Sequence, residues 1–493
     1  MDCETEHISD AESPYFYWKE YPQRDTEFVR WYPCAVDRLR AGQIWRRNPL
    51  VVYVHVPFCN NLCHSCLYNK THTSQPIVTA YVEAVKKEIS DYAARHHVRD
   101  ATIIAAYVGG GTPTALSTHQ LQGLLERLRC ELSFENDAPI TIETTPREMN
   151  PPMAAMLGAC GVNRVSIGVQ SFDPVLLRRI GRSHTPEQAR AAIAQVRAAG
   201  IREINVDLMY GLPGQTMQQS QFDIDQLVSL GVNSVSLYFY IVLPSSTLFT
   251  RLAQGVVPAC PPADISDQMY FRAVEALLSR GYVATTPSDF GWDGGAGRAS
   301  REYPWVKAFE LGPPGYRGVM ASSFPPTRYL GHVWYDCGEI LAVGAGAYGY
   351  LKDYTYFNEP DIGRYIDQVE RGELPVVMGS PVPPQERMAR NMSLAVKLLR
   401  ISRADFQQRH GVDLAVVFAD ALRRLEDQGL VRLTETMLEV TYPKGWYYID
   451  NISKAFFTPA NRRMPQPSPT NTVLLRFLKG DLDQREPVHA NHV

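Results

Sequence analysis

From residue 51 to about residue 242 the sequence alternates short β-branched or apolar runs with longer amphipathic stretches, and no other feature narrows the fold as much. Repeated βα units of this kind build a parallel sheet covered by helices, an α/β class. The runs that read as strands are 51–58, 101–108, 140–144, 164–169, 203–209 and 234–242. Between the first two, Ile77, Val78, Tyr81, Val82, Val85, Ile89 and Tyr92 recur at helical spacing, which gives a helix one apolar face to lay on the sheet. Ser117 followed by Gln120 reads as a capping box, opening a helix that turns Leu121, Leu124, Leu125, Leu128 and Leu132 inward. Six βα units fit.

The 493 residues exceed one ordinary domain, so smaller modules are expected around that core. Residues 1–50 read as an N-terminal extension and 51–245 as the βα core. Residues 246–378 read as a lid and family-specific extension, because 284–328 is rich in Gly, Pro and aromatics and has little periodicity. Helical spacing returns with Leu394, Val396, Leu398 and Leu399, then Leu414, Val417, Phe418, Leu422 and Leu425, and a β-like run follows at 437–442. An α-rich C-terminal domain is therefore expected over 379–461, with a polar tail over 462–493.

A net charge of -3 gives no electrostatic footprint for nucleic acid or an acidic membrane surface. No apolar run approaches the roughly 18 residues that span a bilayer, and residues 1–13 are acidic, so a cytoplasmic protein acting on a small molecule is expected. Nine cysteines, only three of them clustered, fit an intracellular metal site better than a disulfide framework.

Those three are Cys59, Cys63 and Cys66, in a loop directly after the first strand. Thiolates ligate iron–sulfur clusters, and uneven spacing lets one loop wrap a face of a cubane while leaving one iron open. An open iron is what a bidentate amine and carboxylate would need for inner-sphere electron transfer. A closed zinc site using the same thiols with His55 or His64 is the alternative, although structural zinc loops usually pair their cysteines as CxxC. At the end of the second strand, Gly109, Gly110 and Gly111 precede Thr112 and Pro113, a run that lets backbone approach a ligand closely.

Together the Cys59/Cys63/Cys66 loop and the Gly109–Thr112 run resemble the radical S-adenosylmethionine (SAM) superfamily, whose signature is CxxxCxxC. The segment from Tyr53 to Cys59 is similar to the branch containing oxygen-independent coproporphyrinogen III oxidase and the heme chaperone HemW. The resemblance implies a partial (β/α)6 TIM-like barrel, a [4Fe–4S] cluster on Cys59, Cys63 and Cys66, and an electron donor such as flavodoxin or ferredoxin. It further implies SAM held by Gly109, Gly110, Gly111, Thr112, Glu143, Gln170, Arg182 and Asp207, at or near strand ends. Glu143 would suit the SAM amine, Arg182 its carboxylate, and Gln170 and Asp207 its ribose hydroxyls. The resemblance reappears around residues 340–349, which in the family lie beside a second SAM, making Tyr53, Gly346, Ala347 and Tyr348 candidates for that pocket. It extends through 445–457 as a C-terminal domain of the same family.

Departures guide the choice of reaction. Coproporphyrinogen oxidases carry a fourth cysteine two residues after the third, where this chain has Tyr68; the heme chaperone's HNxxYW motif is replaced at 330–337; and Ser65 stands where an aromatic is usual. The sequence therefore suggests the class C methylase-type enzymes, which use two SAM molecules to methylate or cyclopropanate an sp2 carbon of a natural product. Decarboxylation or another modification of a tetrapyrrole, and a heme chaperone without turnover, are the alternatives.

Overall fold

A computed structural model describes residues 49–292 and 327–458, except 65, 67, 68, 243–245 and 352. Its centre is a twelve-stranded sheet. In chain order the strands are β1 (Pro49–Val56), β2 (Thr102–Gly110), β3 (Ile140–Thr144), β4 (Arg164–Gln170), β5 (Glu203–Tyr210), β6 (Ser234–Phe239), β7 (Tyr282–Ala284), β8 (Asp289–Trp292), β9 (Glu339–Val343), β10 (Tyr348–Leu351), β11 (Tyr354–Asn358) and β12 (Val376–Pro381). They lie side by side as β12-β11-β10-β9-β1-β2-β3-β4-β5-β6-β8-β7. From β9 to β6 every pairing is parallel, and the outer strands on both sides add on antiparallel.

The six expected strands are present, with ends within about three residues of the sequence reading. β4 is buried along its whole length, as befits a strand covered on both faces. The helix Gln75–Ala93 turns Val78, Tyr81, Val82, Val85, Ile89 and Tyr92 into the core. Ser117 and Gln120 close the capping box in both directions, at 3.3 and 3.0 Å. Prolines at the first turn and Ser, Thr, Asn or Asp caps start most of the other crossover helices, satisfying donors the helix cannot reach.

The structure adds a seventh parallel strand, β9, which joins the free edge of β1 from far along the chain. It stops at Gly344, whose φ is +100°, and a Cβ there would sit 2.5 Å from the His55 carbonyl, so only glycine lets the turn approach β1 this closely. Beyond the sheet, helices such as Pro384–Ala395 and Ala419–Asp427 surround a three-stranded antiparallel sheet made of β13 (Arg400–Ser402), β14 (Val431–Leu433) and β15 (Met437–Val440). One hydrophobic core runs from Leu50 through to Phe456, so this helical region shares its interior with the barrel. Residues 1–48 of the expected 1–50 extension, most of the Gly/Pro-rich stretch and the tail lie outside the described residues. Among the described residues no helix is long and apolar enough to cross a membrane.

The turn after β9 hangs from the first helix. Tyr81 donates to the His55 carbonyl at 2.8 Å and accepts from the Ala345 N–H at 2.9 Å. Glu88, fully buried, accepts from the Gly344 N–H at 2.8 Å, from Asn358 at 2.8 Å and from the Tyr365 hydroxyl at 2.5 Å. Burial pushes its carboxyl up to about 7 despite these three donors. The folded protein thus keeps a proton that the unfolded chain loses from about pH 4.5, so stability from this group is greatest in acid and falls as pH rises to about 7. The drop is roughly 3 kcal/mol. Denaturant titrations of Glu88→Gln and the parent protein at pH 5 and pH 8 should show the variant lacking that share of the decline; parallel pH profiles would refute the assignment.

Candidate active site

At the C-terminal ends of β1 and β2 the backbone builds a narrow shelf. The cysteine loop leaves β1 through Phe58–Cys59, a two-residue strand paired with Thr71–His72. Gly111 donates to the Val56 carbonyl and Thr112 to the Phe58 carbonyl, both at 2.8 Å, so the glycine run rides directly on the cysteine segment. Thr112 Oγ1 lies 3.5 Å from Cys59 Sγ. No side chain fits at these glycines: a Cβ on Gly109 would meet Glu143 at 2.8 Å, on Gly110 the His55 ring at 2.7 Å, and on Gly111 the Phe58 carbonyl at 2.8 Å and Cys59 Sγ at 3.0 Å.

Cys63 and Cys66 lie on the same loop within electrostatic reach of Cys59. Burial pushes the Cys59 thiol up to about 11, the other two thiols push it further, and Thr112 and Lys70 oppose them. Lys70 donates to the Cys66 carbonyl, and Asn61 donates to the Gly181 carbonyl at 2.7 Å. The His64 N–H bonds the Ile180 carbonyl at 3.3 Å, and its ring lies over Gly181. These bonds stitch the cysteine loop to the segment carrying Arg182. Among the described residues no group of three His, Cys, Asp or Glu side chains closes on one ion-sized point; a cubane takes its thiolates on separate irons and needs no such convergence.

Glu143, next to last in β3, accepts from the Tyr107 hydroxyl at 2.7 Å and from the Gly110 N–H at 3.1 Å, so the glycine run and the acid face the same space. Burial pushes its carboxyl up; Tyr107, Gly110 and Arg164 pull it down. Gln170 ends β4 with φ +71°, and its buried Oε1 has no protein partner. Gln170 and Arg182 meet over Gly168, where a Cβ would be 3.0 and 3.2 Å from them. Asp207 lies three residues before the end of β5. It sits inside β5, beside Gly168 on β4 and Ser236 on β6, and takes hydrogen bonds from Asn205 at 2.8 Å and Ser166 at 3.2 Å. Burial and the Glu143 carboxylate push it up to about 7, against Arg164 and Ser166.

On the other side of β1, Tyr53 pairs with Tyr107 and with Ala342 in the strand registers. Tyr348 lies two residues before Tyr350, which opposes Ile340, so the row Tyr107, Tyr53, Ala342, Tyr348 crosses four strands with one small residue between the last two tyrosines. Gly346 has φ +72° and sits under Asn69, whose amide donates to the Ala345 and Pro360 carbonyls at 3.4 and 3.0 Å. Ala347 accepts from the Asn358 N–H at 2.9 Å and is fully buried, so it presents little besides backbone. Sequence reasoning missed the roles of Tyr107 as partner of Glu143, of His55 between Tyr53 and Asn69, and of Asn205 and Ser236 around Asp207. Asn205 was legible in principle, two residues before Asp207 and so on the same strand face.

The residues present fit an iron–sulfur cluster with SAM. Three thiols share one loop, a backbone cradle leaves no room for side chains, and an unpartnered buried amide oxygen, an acid and a guanidinium surround it.

Comparison with known proteins agrees with this geometry. Residues 53–227 match the radical SAM superfamily and residues 382–448 the HemN C-terminal domain. The chain is 30% identical to the oxygen-independent coproporphyrinogen III oxidase of Salmonella typhimurium, over 85% of this chain and 87% of that one. It is 28% identical to the heme chaperone HemW of Bacillus subtilis, over 79% and 94%. The solved coproporphyrinogen III oxidase HemN from Escherichia coli, described as a radical SAM enzyme, superposes with a TM-score of 0.73 at 26% identity, covering 90% of this chain and 97% of that one. These relatives overturn the expectation of a class C methylase acting on a natural product, since they are named as oxidases and heme chaperones along nearly their whole length. That expectation rested on single-residue departures at Ser65 and Tyr68, which lie outside the described residues, and on 330–337. A barrel carrying the three-cysteine loop, continued by a HemN C-terminal domain, makes this chain a member of the radical SAM superfamily, in the branch of the oxygen-independent coproporphyrinogen III oxidases and the HemW heme chaperones.

Proposed function

We propose that this protein is a radical SAM enzyme that modifies a tetrapyrrole of the porphyrinogen class, by oxidative decarboxylation of a propionate side chain. The observation that carries the reading is likeness to coproporphyrinogen III oxidase over both barrel and C-terminal region, together with a rim that keeps Glu143, Arg182 and the glycine cradle beside the three thiols. When bound, the [4Fe–4S] cluster and SAM supply a 5′-deoxyadenosyl radical able to remove a hydrogen atom. Transfer of that hydrogen atom to the radical, loss of carbon dioxide and transfer of one further electron to a separate one-electron acceptor would convert a propionate into a vinyl group.

In this reading Cys59, Cys63 and Cys66 hold the cluster, with Thr112 fixing the orientation of the Cys59 thiolate. Glu143 accepts from the SAM ammonium while its own donors, Tyr107 and Gly110, hold the carboxylate in place. Arg182 pairs with the SAM carboxylate, a charge-assisted contact. Gln170 and Asp207 receive the ribose hydroxyls. Tyr53, Gly346, Ala347 and Tyr348 border a second SAM, whose sulfonium suits aromatic faces. A one-electron donor of the flavodoxin or ferredoxin kind completes the system.

Heme binding without turnover is the second reading, favoured by likeness to HemW over 94% of that chain. Anaerobically reconstituted protein given SAM, reductant and coproporphyrinogen III should release 5′-deoxyadenosine and carbon dioxide together, and should form no lasting Soret band with heme. A stable Soret band with no substrate-dependent carbon dioxide would replace the first reading with the second.

A further inference from the structure

Beneath the rim, inside the barrel, one row of residues crosses four strands: Gly168 on β4, Asp207 on β5, Ser236 on β6 and Asp289 on β8. Side chains in register on adjacent strands share a face, so the two acids and the serine between them point into the same interior. They are joined by hydrogen bonds. Asn205, two residues before Asp207, puts its amide nitrogen 2.8 Å from Asp207 Oδ1 and 3.1 Å from Ser236 Oγ. The Ser236 hydroxyl donates to Asp289 Oδ1 at 2.7 Å, and the Thr286 hydroxyl donates to Asp289 Oδ2 at 2.8 Å.

This direction matters. A serine hydroxyl has one hydrogen, and an ionised Asp289 at 2.7 Å takes it in preference to Asn205 Oδ1 at 3.5 Å, so Ser236 accepts from the Asn205 amide nitrogen at 3.1 Å. An amide that donates to Ser236 must aim its nitrogen, not its oxygen, toward Asp207. Asp289, through Ser236, therefore shares with Ser166, which accepts from the Asn205 amide at 2.9 Å, in holding the side chain of Asn205, and Asn205 and Ser166 together hold the carboxylate of Asp207. Asp289 also lies past residue 227, where the radical SAM match ends, on an antiparallel strand that the βα pattern does not include.

We propose that Asp289 is a positioning residue for the nucleoside end of SAM, acting on Asp207 through Ser236 and Asn205. The inference rests on the reading above that Asp207 receives the ribose hydroxyls. Around Asp207 stand Glu143 and Tyr107 from β3 and β2, Arg164 from β4, and Asp289 from β8. Glu143 and Asp289 raise its affinity for a proton; Arg164 lowers it.

The test is SAM affinity of the anaerobically reconstituted full chain across pH 6–9, measured without turnover. Asp289→Ala frees the Ser236 hydroxyl and should weaken SAM binding about tenfold, the worth of roughly one well-placed hydrogen bond. Iron content should stay unchanged. Asp289→Asn keeps an acceptor for Ser236 but removes a negative charge. It should restore affinity at pH 8 and move the rise of SAM binding with pH to lower pH, because Asp207 then ionises more easily. Ser236→Ala breaks the relay without touching either acid and should repeat the Asp289→Ala loss, which keeps the test open if Asp289→Ala does not fold. Asp207→Asn separates the two levels of argument. If it leaves SAM affinity unchanged, the ribose reading fails. If it weakens binding while Ser236→Ala and both Asp289 variants bind as the parent does at every pH, the positioning role is overturned.

Discussion

Cys63→Ala will leave the protein without a [4Fe–4S] cluster and without SAM cleavage. Two thiolates cannot hold a cubane that offers one iron to substrate, because loss of a third ligand frees a second corner to water and to chelation. Iron and sulfide should fall together to background after anaerobic reconstitution, and with them the broad visible absorbance. Cys160→Ala, a partly buried thiol at the end of a crossover helix, serves as control and should reconstitute fully. Full iron content in Cys63→Ala, or one zinc per chain and no iron uptake by the parent, would end the cluster assignment.

The second large effect is expected at the two charged rim residues, with the cluster intact. Glu143→Ala removes the acceptor of Tyr107 and of the Gly110 N–H and leaves an ammonium group unpaired in a desolvated site; Arg182→Ala does the same to a carboxylate. Truncating one member of a buried charge pair costs about 2–5 kcal/mol, or roughly 30- to 5,000-fold in the yield of 5′-deoxyadenosine at limiting SAM. Iron content should match the parent in both. Unimpaired 5′-deoxyadenosine formation in both variants would mean that SAM is anchored by other residues.

The barrel was legible because its signal is local. The strands from β1 to β6 are short, mostly apolar runs, and the helices Gln75–Ala93 and Thr118–Glu131 repeat their apolar positions at helical spacing. The Ser117 capping box and the inward leucines behind it needed only four turns of helix to be read. The cysteine loop and the glycine run were equally legible, as both are contiguous. What escaped was non-local. β9 is five residues long, and nothing within it states that its partner is β1; Glu-Ile-Leu-Ala-Val would serve as any buried strand. Asp289 escaped because it follows the last βα unit, in a stretch read as a lid, where no periodicity tells a reader which face a residue takes. Asp207 was read on its strand by position, but its partners Ser166 and Ser236 come from neighbouring strands and could not be read from its own segment. The choice of reaction went wrong for a related reason: an absent cysteine at position 68 was given more weight than the agreement of the whole chain with its relatives.

The late arrival of β9 also sets a schedule for biosynthesis. A ribosome adding ~5–20 residues per second needs roughly 15–60 s to travel from the end of β1 to the start of β9. For that interval the strand leading into the cysteine loop has an unpaired edge, and the turn at Gly344, which approaches His55 and rests on Glu88, does not yet exist. An open apolar edge is a template for pairing with other chains. The nascent barrel is therefore most open to pairing with other chains along β1, the strand that leads into its three thiols, until β9 docks.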